Sequence, residues 1–414
     1  MAGDPPRPGA PDEAAAIAEV SAEQLSKAAE YIEEEEGAFS RFPGILASAT
    51  KFLLVAMSLF HLYAAVDIVP ANVLRPVHVG WMLLLIFLLV PVAPRFRNRL
   101  MWWDVACALL GVATIAYLLS GGDEFWDRNT TPSSSDVFFG VAFVLLVLEA
   151  CRRTSGWIMV IVISLFLAYA FAGPWLPGQW AHRGYDVDGM TGFLYQTLEG
   201  IFGTAVDVSS TLIILFTIYG AFLQLSGAGK FFLDWSFAAM GGKHTGAGRT
   251  VVLASFLLGG PSGSGVATTV TIGSVAYPML KRSGYGPEAA GGLLAAGGLG
   301  AIISPPVLGA AAFLIAEFLK ISYLDVLLMA VIPTVLFYFA LFLMVEIDAR
   351  KYGMHEAVFE KVDTVWNLTK KYWFQRALPS RSRPPSMPSS RRVTVREASS
   401  WSITSPSRAW PEPP

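Results

Sequence analysis

Apolar residues along this chain fall into blocks separated by short polar stretches that carry most of the charged side chains. The blocks are about 17 to 25 residues long, which is the length at which an α-helix crosses a hydrocarbon layer of roughly 30 Å. The pattern predicts uninterrupted spans at residues 45–68, 77–92, 102–119, 137–151, 157–171, 206–225 and 324–345. Two further apolar runs, 250–280 and 288–319, contain clusters of helix-breaking residues and are predicted to be interrupted.

The composition supports a membrane protein. Of the 414 residues, 54% are hydrophobic and 15% are charged, and the mean hydropathy of +0.50 lies far above the soluble globular range. The predicted fold class is therefore all-α, a polytopic integral membrane protein in contact with membrane lipid. The net charge of −2 gives no bulk attraction to nucleic acid. Cys107 and Cys151 lack neighbours at metal-ligand spacing and are interpreted as packing residues, and no cofactor is expected.

The run 250–280 is interrupted by the stretch GGPSGSGVATTVT, residues 259–271. With a cytoplasmic N-terminus, Lys and Arg near the span ends concentrate on the cytoplasmic side, as membrane proteins prefer. This bias holds only if 250–280 enters and leaves on one side, because Arg249 precedes it and Lys281 and Arg282 follow it. We therefore predict a re-entrant helical hairpin whose arms, of about 10–15 residues, are each too short to cross the bilayer. Irregular backbone at membrane depth also implies a cavity at the tip.

The run 288–319 contains a second break at Ser304-Pro305-Pro306, since two amide donors are missing and helical geometry is disfavoured at Ser304. Two interrupted segments in succession are typical of the binding sites of transporters. The alternative for each break alone is structural: the prolines produce a kink, and the glycines allow close helix packing.

The hairpin tip, which follows Pro261, has the chemistry of a cation site beside an anion site. An arm beginning near Val266 directs free amides at an anionic group, and an arm ending near Gly259 directs carbonyl oxygens at a small cation. Hydroxyl oxygens come from Ser262, Ser264, Thr268 and Thr269. Because 250–280 contains no Asp, Glu or His, a bound Na⁺ with an adjacent carboxylate fits better than a proton relay through carboxylates.

Carboxylates nearer the span ends are expected to lie at the interface or to pair with basic flanks. They are Asp67, Asp104, Glu149, Asp207 and Glu317.

An enzyme is not expected. Residues 260–263 match the GxSG pattern of intramembrane serine proteases, but the only histidine downstream, His355, lies beyond the last span and cannot serve as the base. The chain also lacks a GxxxxGK[ST] phosphate loop.

The stretch LLGGPSGSGVATTVTIGSVAYPMLKRSGYGPEAAGGLLAAGGLGAIISPPVLGAAAFL closely resembles the membrane component of tripartite ATP-independent periplasmic (TRAP) transporters, most of all the TAXI-type permeases in which small and large subunits are fused. The resemblance implies an elevator-type secondary transporter in the bacterial inner membrane, without an ATPase subunit. It implies Na⁺-coupled uptake of organic anions, often carboxylates, from a periplasmic TAXI-type substrate-binding protein. The implied site residues are Ser262, Gly263, Ser264 and Gly265 in the hairpin, and Gly297, Gly298, Ser304, Pro305 and Pro306 in the broken helix.

The resemblance also implies a second, inverted hairpin and broken helix, for which this sequence shows no counterpart. We therefore expect a copy truncated after the first repeat of the large subunit and inactive alone, with a disordered tail from about residue 375. The expected domains are an acidic cytoplasmic segment (1–44, with a surface helix over 12–37), a four-helix scaffold (45–151), a connecting span and periplasmic segment (152–205), the first transport repeat (206–350) and a C-terminal segment (351–414). The alternative function is a non-transporting scaffold or assembly subunit.

Overall fold

The computed structural model describes residues 39–353, except 41, 94–95, 97–98, 226–227, 241–245, 263–264 and 305–307, together with residues 364–373. Within these ranges all regular secondary structure is helical, which confirms the all-α fold class. The predicted surface helix at 12–37 and the tail beyond residue 374 lie outside the described residues.

The α-helices are numbered here in chain order. They are α1 (Gly44–Val66), α2 (Ala71–Leu89), α3 (Trp102–Ser120), α4 (Gly122–Asp127), α5 (Ser134–Ser155), α6 (Trp157–Ala172), α7 (Val187–Tyr195), α8 (Thr204–Val208), α9 (Ile214–Leu225), α10 (Ala228–Met240), α11 (Gly246–Ser262), α12 (Gly265–Arg282), α13 (Pro287–Ile303), α14 (Ala310–Leu319), α15 (Tyr323–Lys351) and α16 (Val365–Trp373). A π-helical turn, Ser209–Ile213, joins α8 to α9.

Seven helical segments in the described part of the chain are long and apolar enough to cross a membrane. They are Gly44–Val66, Ala71–Leu89, Trp102–Ser120, Ser134–Ser155, Trp157–Trp175, Thr204–Phe222 and Tyr323–Lys351. Each corresponds to one of the uninterrupted spans that the hydropathy pattern predicts, so that prediction is confirmed.

Some helix boundaries differ from the predicted ones because polar first turns hide the helix start. Helix α2 begins at Ala71, before the predicted residue 77, and carries Pro76 inside it. Helix α5 begins at Ser134, where Ser133 and Asp136 form a reciprocal capping box. Both starts contain charged or capping residues that lower the local hydropathy without preventing a helix.

The first half of the chain packs as a scaffold around α2, α3 and α5. Its centre includes Phe87, Phe143 and, from the segment after α6, Tyr195 and Phe202, all fully buried. The Tyr195 hydroxyl donates to the Thr114 carbonyl at 2.5 Å. The segment predicted to connect the scaffold to the transport repeat therefore contributes aromatic side chains to the scaffold core.

Four of the five predicted carboxylates, Asp104, Glu149, Asp207 and Glu317, pair with basic side chains. Arg153 binds Asp104 at 2.7 Å and Glu149 at 2.8 Å. Arg75 of α2 binds Asp207 of α8 at 3.0 Å. The other predicted carboxylates also have partners: Glu317 pairs with Lys320, and Asp67 accepts from the Tyr63 hydroxyl at 2.6 Å.

The second half forms a separate core from α11, α12, α13 and α15. Fully buried residues in it include Val251 and Val252 of α11, Leu280 of α12, Ala290 of α13 and Val345 of α15. This core holds together the two segments that the sequence predicts to be interrupted.

Candidate functional site

Helices α11 and α12 form a hairpin whose two arms pack against each other and against α13. Its open ends lie side by side. A methyl group on Gly248, in the first turn of α11, would collide with the hydroxyl of Tyr285, just beyond the end of α12. The pairing of the two helices as a hairpin is therefore confirmed, while its re-entrant position in the membrane stays a prediction.

The arms are longer than predicted. They contain 17 and 18 residues, or about 26 and 27 Å at 1.5 Å per residue, so the expected length of 10–15 residues is wrong. Helix α11 continues past Gly259 to Ser262, so Pro261 lies within its last turn and is not the break itself. Proline in a last turn removes a single helix hydrogen bond, which a helix end tolerates. The break falls at 263–264, outside the described residues, and α12 begins at Gly265, one position before the predicted Val266.

The open end of the hairpin is fixed to the long helix α15. Arg249 of α11 forms an ion pair with Glu346 of α15. Burial raises the pKa of the nearby Tyr285 hydroxyl to about 12, and the carboxylates of Asp348 and Glu346 add to that rise. A neutral tyrosine and a paired arginine thus close this end of the core.

The hairpin meets the broken helix through glycines. A Cβ atom on Gly265 of α12 would lie 2.9 Å from the Gly298 carbonyl oxygen of α13, and one on Gly298 would lie 2.5 Å from the Gly265 carbonyl oxygen. A Cβ on Gly297 would collide with Ser255 of α11. Glycine is required here because the two backbones approach more closely than any side chain permits. The structure thus brings together Gly265, Gly297 and Gly298, three of the predicted site residues.

Two of the predicted hydroxyl groups already donate a hydrogen bond to a backbone carbonyl. Thr269 Oγ1 donates to the Gly265 carbonyl at 2.8 Å, with the Leu294 carbonyl at 3.4 Å. Ser304 Oγ donates to the Gly300 carbonyl at 2.5 Å and lies 3.1 Å from the Tyr338 hydroxyl, which supplies the proton of that second bond. As arranged, these oxygens present lone pairs, which suit a cation better than a carboxylate.

The broken helix is confirmed. Helix α13 ends at Ile303, Ser304 is extended (φ −90°, ψ 124°), and the chain becomes helical again at Ala310. An extended residue before a proline is the expected geometry. The last carbonyls of α13 have donors nearby. Ile302 accepts from the Gly309 amide at 2.8 Å, and the Ile303 carbonyl lies 2.7 Å from Thr334 Oγ1, whose one proton it shares with the Ala330 carbonyl at 2.7 Å.

The contacts of several predicted site residues are not described by the structure. Gly263, Ser264, Pro305 and Pro306 are outside the described residues, and Ser262 is placed by its backbone alone. Thr268 is buried, at 1% exposure. The tip half of the predicted site and its cavity therefore stay predictions. In the described ranges no three His, Cys, Asp or Glu side chains converge, so the oxygens around Gly298 are those of carbonyls and hydroxyls.

Sequence reasoning missed Ser255. Its hydroxyl is buried at 1% exposure, faces Gly297, and has no hydrogen-bond partner among the described residues. A buried unpaired hydroxyl is costly and calls for an explanation, such as a ligand. The signal was a single serine in the apolar stretch VVLASFLL, which hydropathy alone does not distinguish from a packing residue.

Sequence reasoning also missed two buried histidines. His61 of α1 and His78 of α2 are 1% and 4% exposed, and their rings are joined by a hydrogen bond of 2.9 Å. The available signal was an ionisable residue inside each of two predicted spans, which by itself indicates function.

The end of α13 provides a first test of the site. Thr334→Val keeps the shape of the side chain but removes the hydroxyl that serves the Ile303 carbonyl and, at the same 2.7 Å, the Ala330 carbonyl, so we expect a loss of about 1–3 kcal/mol in unfolding free energy. Thermal melting in detergent measures it. The matched control is Thr217→Val, because Thr217 is exposed and, among the described residues, its hydroxyl bonds only to the carbonyl of Ile213 at the end of the preceding π-helical turn. Equal melting temperatures for the two variants would contradict the capping role of Thr334.

A helical membrane bundle in which a hairpin and a broken helix meet through glycines is the architecture typical of secondary-transporter permeases. The sequence profile of the family described as "Tripartite ATP-independent periplasmic transporter, DctM component" matches residues 142–380, more than half of the chain. The chain therefore belongs to the DctM family of TRAP transporter permeases. The matched region begins inside α5, upstream of residue 206, where the predicted transport repeat starts.

Similar proteins carry related names. The 2,3-diketo-L-gulonate TRAP transporter large permease protein YiaN of Escherichia coli (strain K12) is 32% identical over 120 residues, covering 29% of this chain and 28% of that protein. The C4-dicarboxylate TRAP transporter large permease protein DctM of Pseudomonas aeruginosa is 35% identical over 109 residues, 26% of this chain and 25% of that protein. The protein of that name from Rhodobacter capsulatus is 34% identical over 91 residues, 22% and 21% of the two chains. The aligned segments thus span less than a third of each relative.

Proposed function

We propose that this chain is a permease for Na⁺-coupled uptake of organic anions, carboxylates in particular, working by an elevator mechanism. The family is one of multi-pass permeases of the bacterial inner membrane, and the positive residues at the span ends favour a cytoplasmic N-terminus. The observation that carries the proposal is the contact between Gly265 and Gly298, where backbone carbonyls and hydroxyls gather without a formal charge.

The proposed Na⁺ ligands are oxygens around this contact. The carbonyls of Gly265 and Gly298 approach each other's backbone, and Thr269 Oγ1 lies against Gly298 with its proton committed elsewhere. Ser255, facing Gly297, adds a buried hydroxyl that needs a partner. Hard cations prefer such oxygen ligands, and broken helices in transporters use them to hold Na⁺.

The proposed anion site lies at the N-terminus of α12. Helix α12 is 18 residues long and starts at Gly265, so its first amides point out of the hairpin tip beside the proposed Na⁺ ligands. Backbone amides and the helix dipole both favour a carboxylate there. A cation next to the anion explains why uptake of the two would be coupled.

The proposed substrate and partner follow from the relatives. The names of these relatives specify 2,3-diketo-L-gulonate and C4-dicarboxylates, which are carboxylates. TRAP permeases work with a periplasmic substrate-binding protein, and we propose a TAXI-type partner for this chain. In a TAXI-type fusion the small subunit corresponds to the scaffold of α1, α2, α3 and α5.

Na⁺ binding is tested on the purified chain by thermal melting in Na⁺ or K⁺ at equal ionic strength. A ligand that binds only the folded state raises stability by about 2.7 kcal/mol at a hundred times its dissociation constant. We expect Na⁺ to raise the melting temperature of the natural chain, and Thr269→Val to remove this rise. Thr217→Val is the control and should keep it.

Because the chain is expected to be inactive alone, transport is tested in liposomes that hold it extended by a second, inverted repeat, with radiolabelled succinate, a Na⁺ gradient and the binding protein. Uptake that is unchanged when K⁺ replaces Na⁺ would exclude the coupling. Melting that does not depend on Na⁺, together with no uptake, would favour the alternative of a non-transporting scaffold.

A further inference from the structure

Two buried histidines and a serine form one hydrogen-bonded chain across the first two helices. His61 Nδ1 lies 2.8 Å from the Met57 carbonyl oxygen, His61 Nε2 lies 2.9 Å from His78 Nδ1, and His78 Nε2 lies 3.1 Å from Ser209 Oγ. Ser209 is the first residue of the π-helical turn between α8 and α9. Such turns occur frequently at functional sites.

The Met57 carbonyl determines which nitrogen carries the proton in each of the two histidine rings. A carbonyl only accepts, so His61 Nδ1 carries a proton and, in a neutral ring, Nε2 does not. His78 Nδ1 must then donate to His61 Nε2, which leaves His78 Nε2 as an acceptor for the Ser209 hydroxyl. Both rings are neutral and protonated on Nδ1, and every ring nitrogen has a partner.

The two histidines can bind one more proton and keep the hydrogen bond between their rings. If the proton is added at His78 Nε2, that atom donates to Ser209 Oγ, and the proton between the rings is shared by His61 Nε2 and His78 Nδ1. Ser209 then turns its own O–H to another acceptor, for which the carbonyl one helical turn earlier is the usual choice for a serine. A second added proton would make both facing nitrogens donors and break the contact between the rings. The capacity is therefore one proton.

The surroundings supply no competing partner to either ring. The elements packed against α1 and α2 are α3, α5, α8, the π-helical turn and α9. Their charged groups are paired with one another: Arg75 with Asp207, Asp104 and Glu149 with Arg152 and Arg153, and Asp136 with Arg128. The remaining titratable groups on these helices and their ends are Lys51, Tyr63, Asp67, Cys107, Tyr117, Cys151, Tyr195 and Tyr219. Within the described residues, none of them hydrogen-bonds to His61 or His78.

We infer that His61 and His78 form a binding site for a single proton at the interface between the scaffold and the π-helical turn. This goes beyond the proposed function, because the site lies apart from the hairpin and requires neither Na⁺ nor substrate. Binding of the proton reverses the direction of the hydrogen bond between His78 Nε2 and Ser209 Oγ. It therefore changes the hydrogen bonding of the turn that joins α8 to α9. The ion pair between Arg75 and Asp207 spans the same interface and holds its two sides in place.

Nitrogen NMR of the full chain, labelled with ¹⁵N-histidine and placed in lipid bilayers, tests the inference. Near neutral pH we expect His61 and His78 to be protonated on Nδ1. His182 is an internal control with the opposite tautomer, because its Nε2 lies 3.1 Å from the Tyr169 carbonyl and its Nδ1 accepts from the Gly184 amide. The variants His182→Gln and His61→Leu assign the signals.

Lowering the pH from about 8 to about 3 should add one proton to the pair in a single transition seen at both rings. A pair that stays neutral over this whole range would contradict the inference. His61→Leu removes the acceptor of His78 and should convert His78 to the Nε2-protonated form, which then donates to Ser209. An Nε2-protonated His61 at neutral pH, or two protons taken up independently by the pair, would overturn the inference. Because these signals report on the rings themselves, they do not depend on transport activity.

Discussion

Replacing Gly298 with alanine is expected to lower the unfolding free energy by about 1–3 kcal/mol and to abolish Na⁺-dependent succinate uptake. The added methyl would collide with Thr269 Oγ1 and lie 2.5 Å from the Gly265 carbonyl oxygen. The threonine can rotate, but the carbonyl belongs to the backbone of α12, so the hairpin and the broken helix must separate. Melting in detergent and uptake in liposomes measure the two effects.

The same helix offers a matched control. Gly292 has open space where a Cβ would lie, so Gly292→Ala adds the same methyl group without a collision. Alanine is also the better helix former, by about 0.5–1 kcal/mol, so Gly292→Ala should be neutral or slightly stabilising. If Gly298→Ala melts at the same temperature as Gly292→Ala and still takes up succinate, the close approach of Gly265 and Gly298 is not what the site depends on.

Arg153→Met is expected to be the most destabilising change in the scaffold, at about 3–5 kcal/mol, since it strands a buried charge. The side chains of Arg153 and Asp104 are 1% and 4% exposed and meet at 2.7 Å. Arg153 also donates to the Val90 carbonyl at 3.1 Å and lies over the Phe87 ring. Methionine fills much of the volume but leaves the Asp104 carboxylate without its guanidinium.

The control for Arg153→Met is Lys320→Met, which removes an exposed ion pair with Glu317 and should barely change the melting temperature. The double variant Arg153→Met/Asp104→Asn should regain part of the loss, because the stranded charge is removed as well. A single Arg153→Met variant that melts like the natural chain would contradict the expected cost of leaving the Asp104 carboxylate buried and unpaired.

Hydropathy was sufficient to predict the membrane spans, because burying apolar side chains in lipid dominates where a helix lies. It also located both interrupted segments, since Pro261, Ser304 and the glycines around them are local signals of irregular backbone. It did not give the helix ends. Helix α11 runs through Gly259 and Pro261 because packing against α13 stabilises the last turn more than those residues weaken it.

The site itself was only partly predictable. The glycines at 265, 297 and 298 could be named because glycine is informative by its chemistry, but their pairing with one another is a tertiary contact. Ser255 and the histidines at 61 and 78 are single polar residues within apolar runs, and their importance depends on which neighbour they face. Which neighbour they face depends on how helices that are far apart in the sequence pack against each other.

Helix α15 contains 29 residues and is therefore about 43 Å long, some 13 Å more than a typical hydrocarbon core. We expect its last turns to reach the head-group layer, and these turns include Glu346, which pairs with Arg249 at the base of the hairpin. We therefore expect the tilt of α15 to depend on acyl-chain length, because a thicker bilayer surrounds more of the helix with hydrocarbon. Because α15 packs against α11 and α13 as well as pairing through Glu346, we expect a change in its tilt to shift the hairpin.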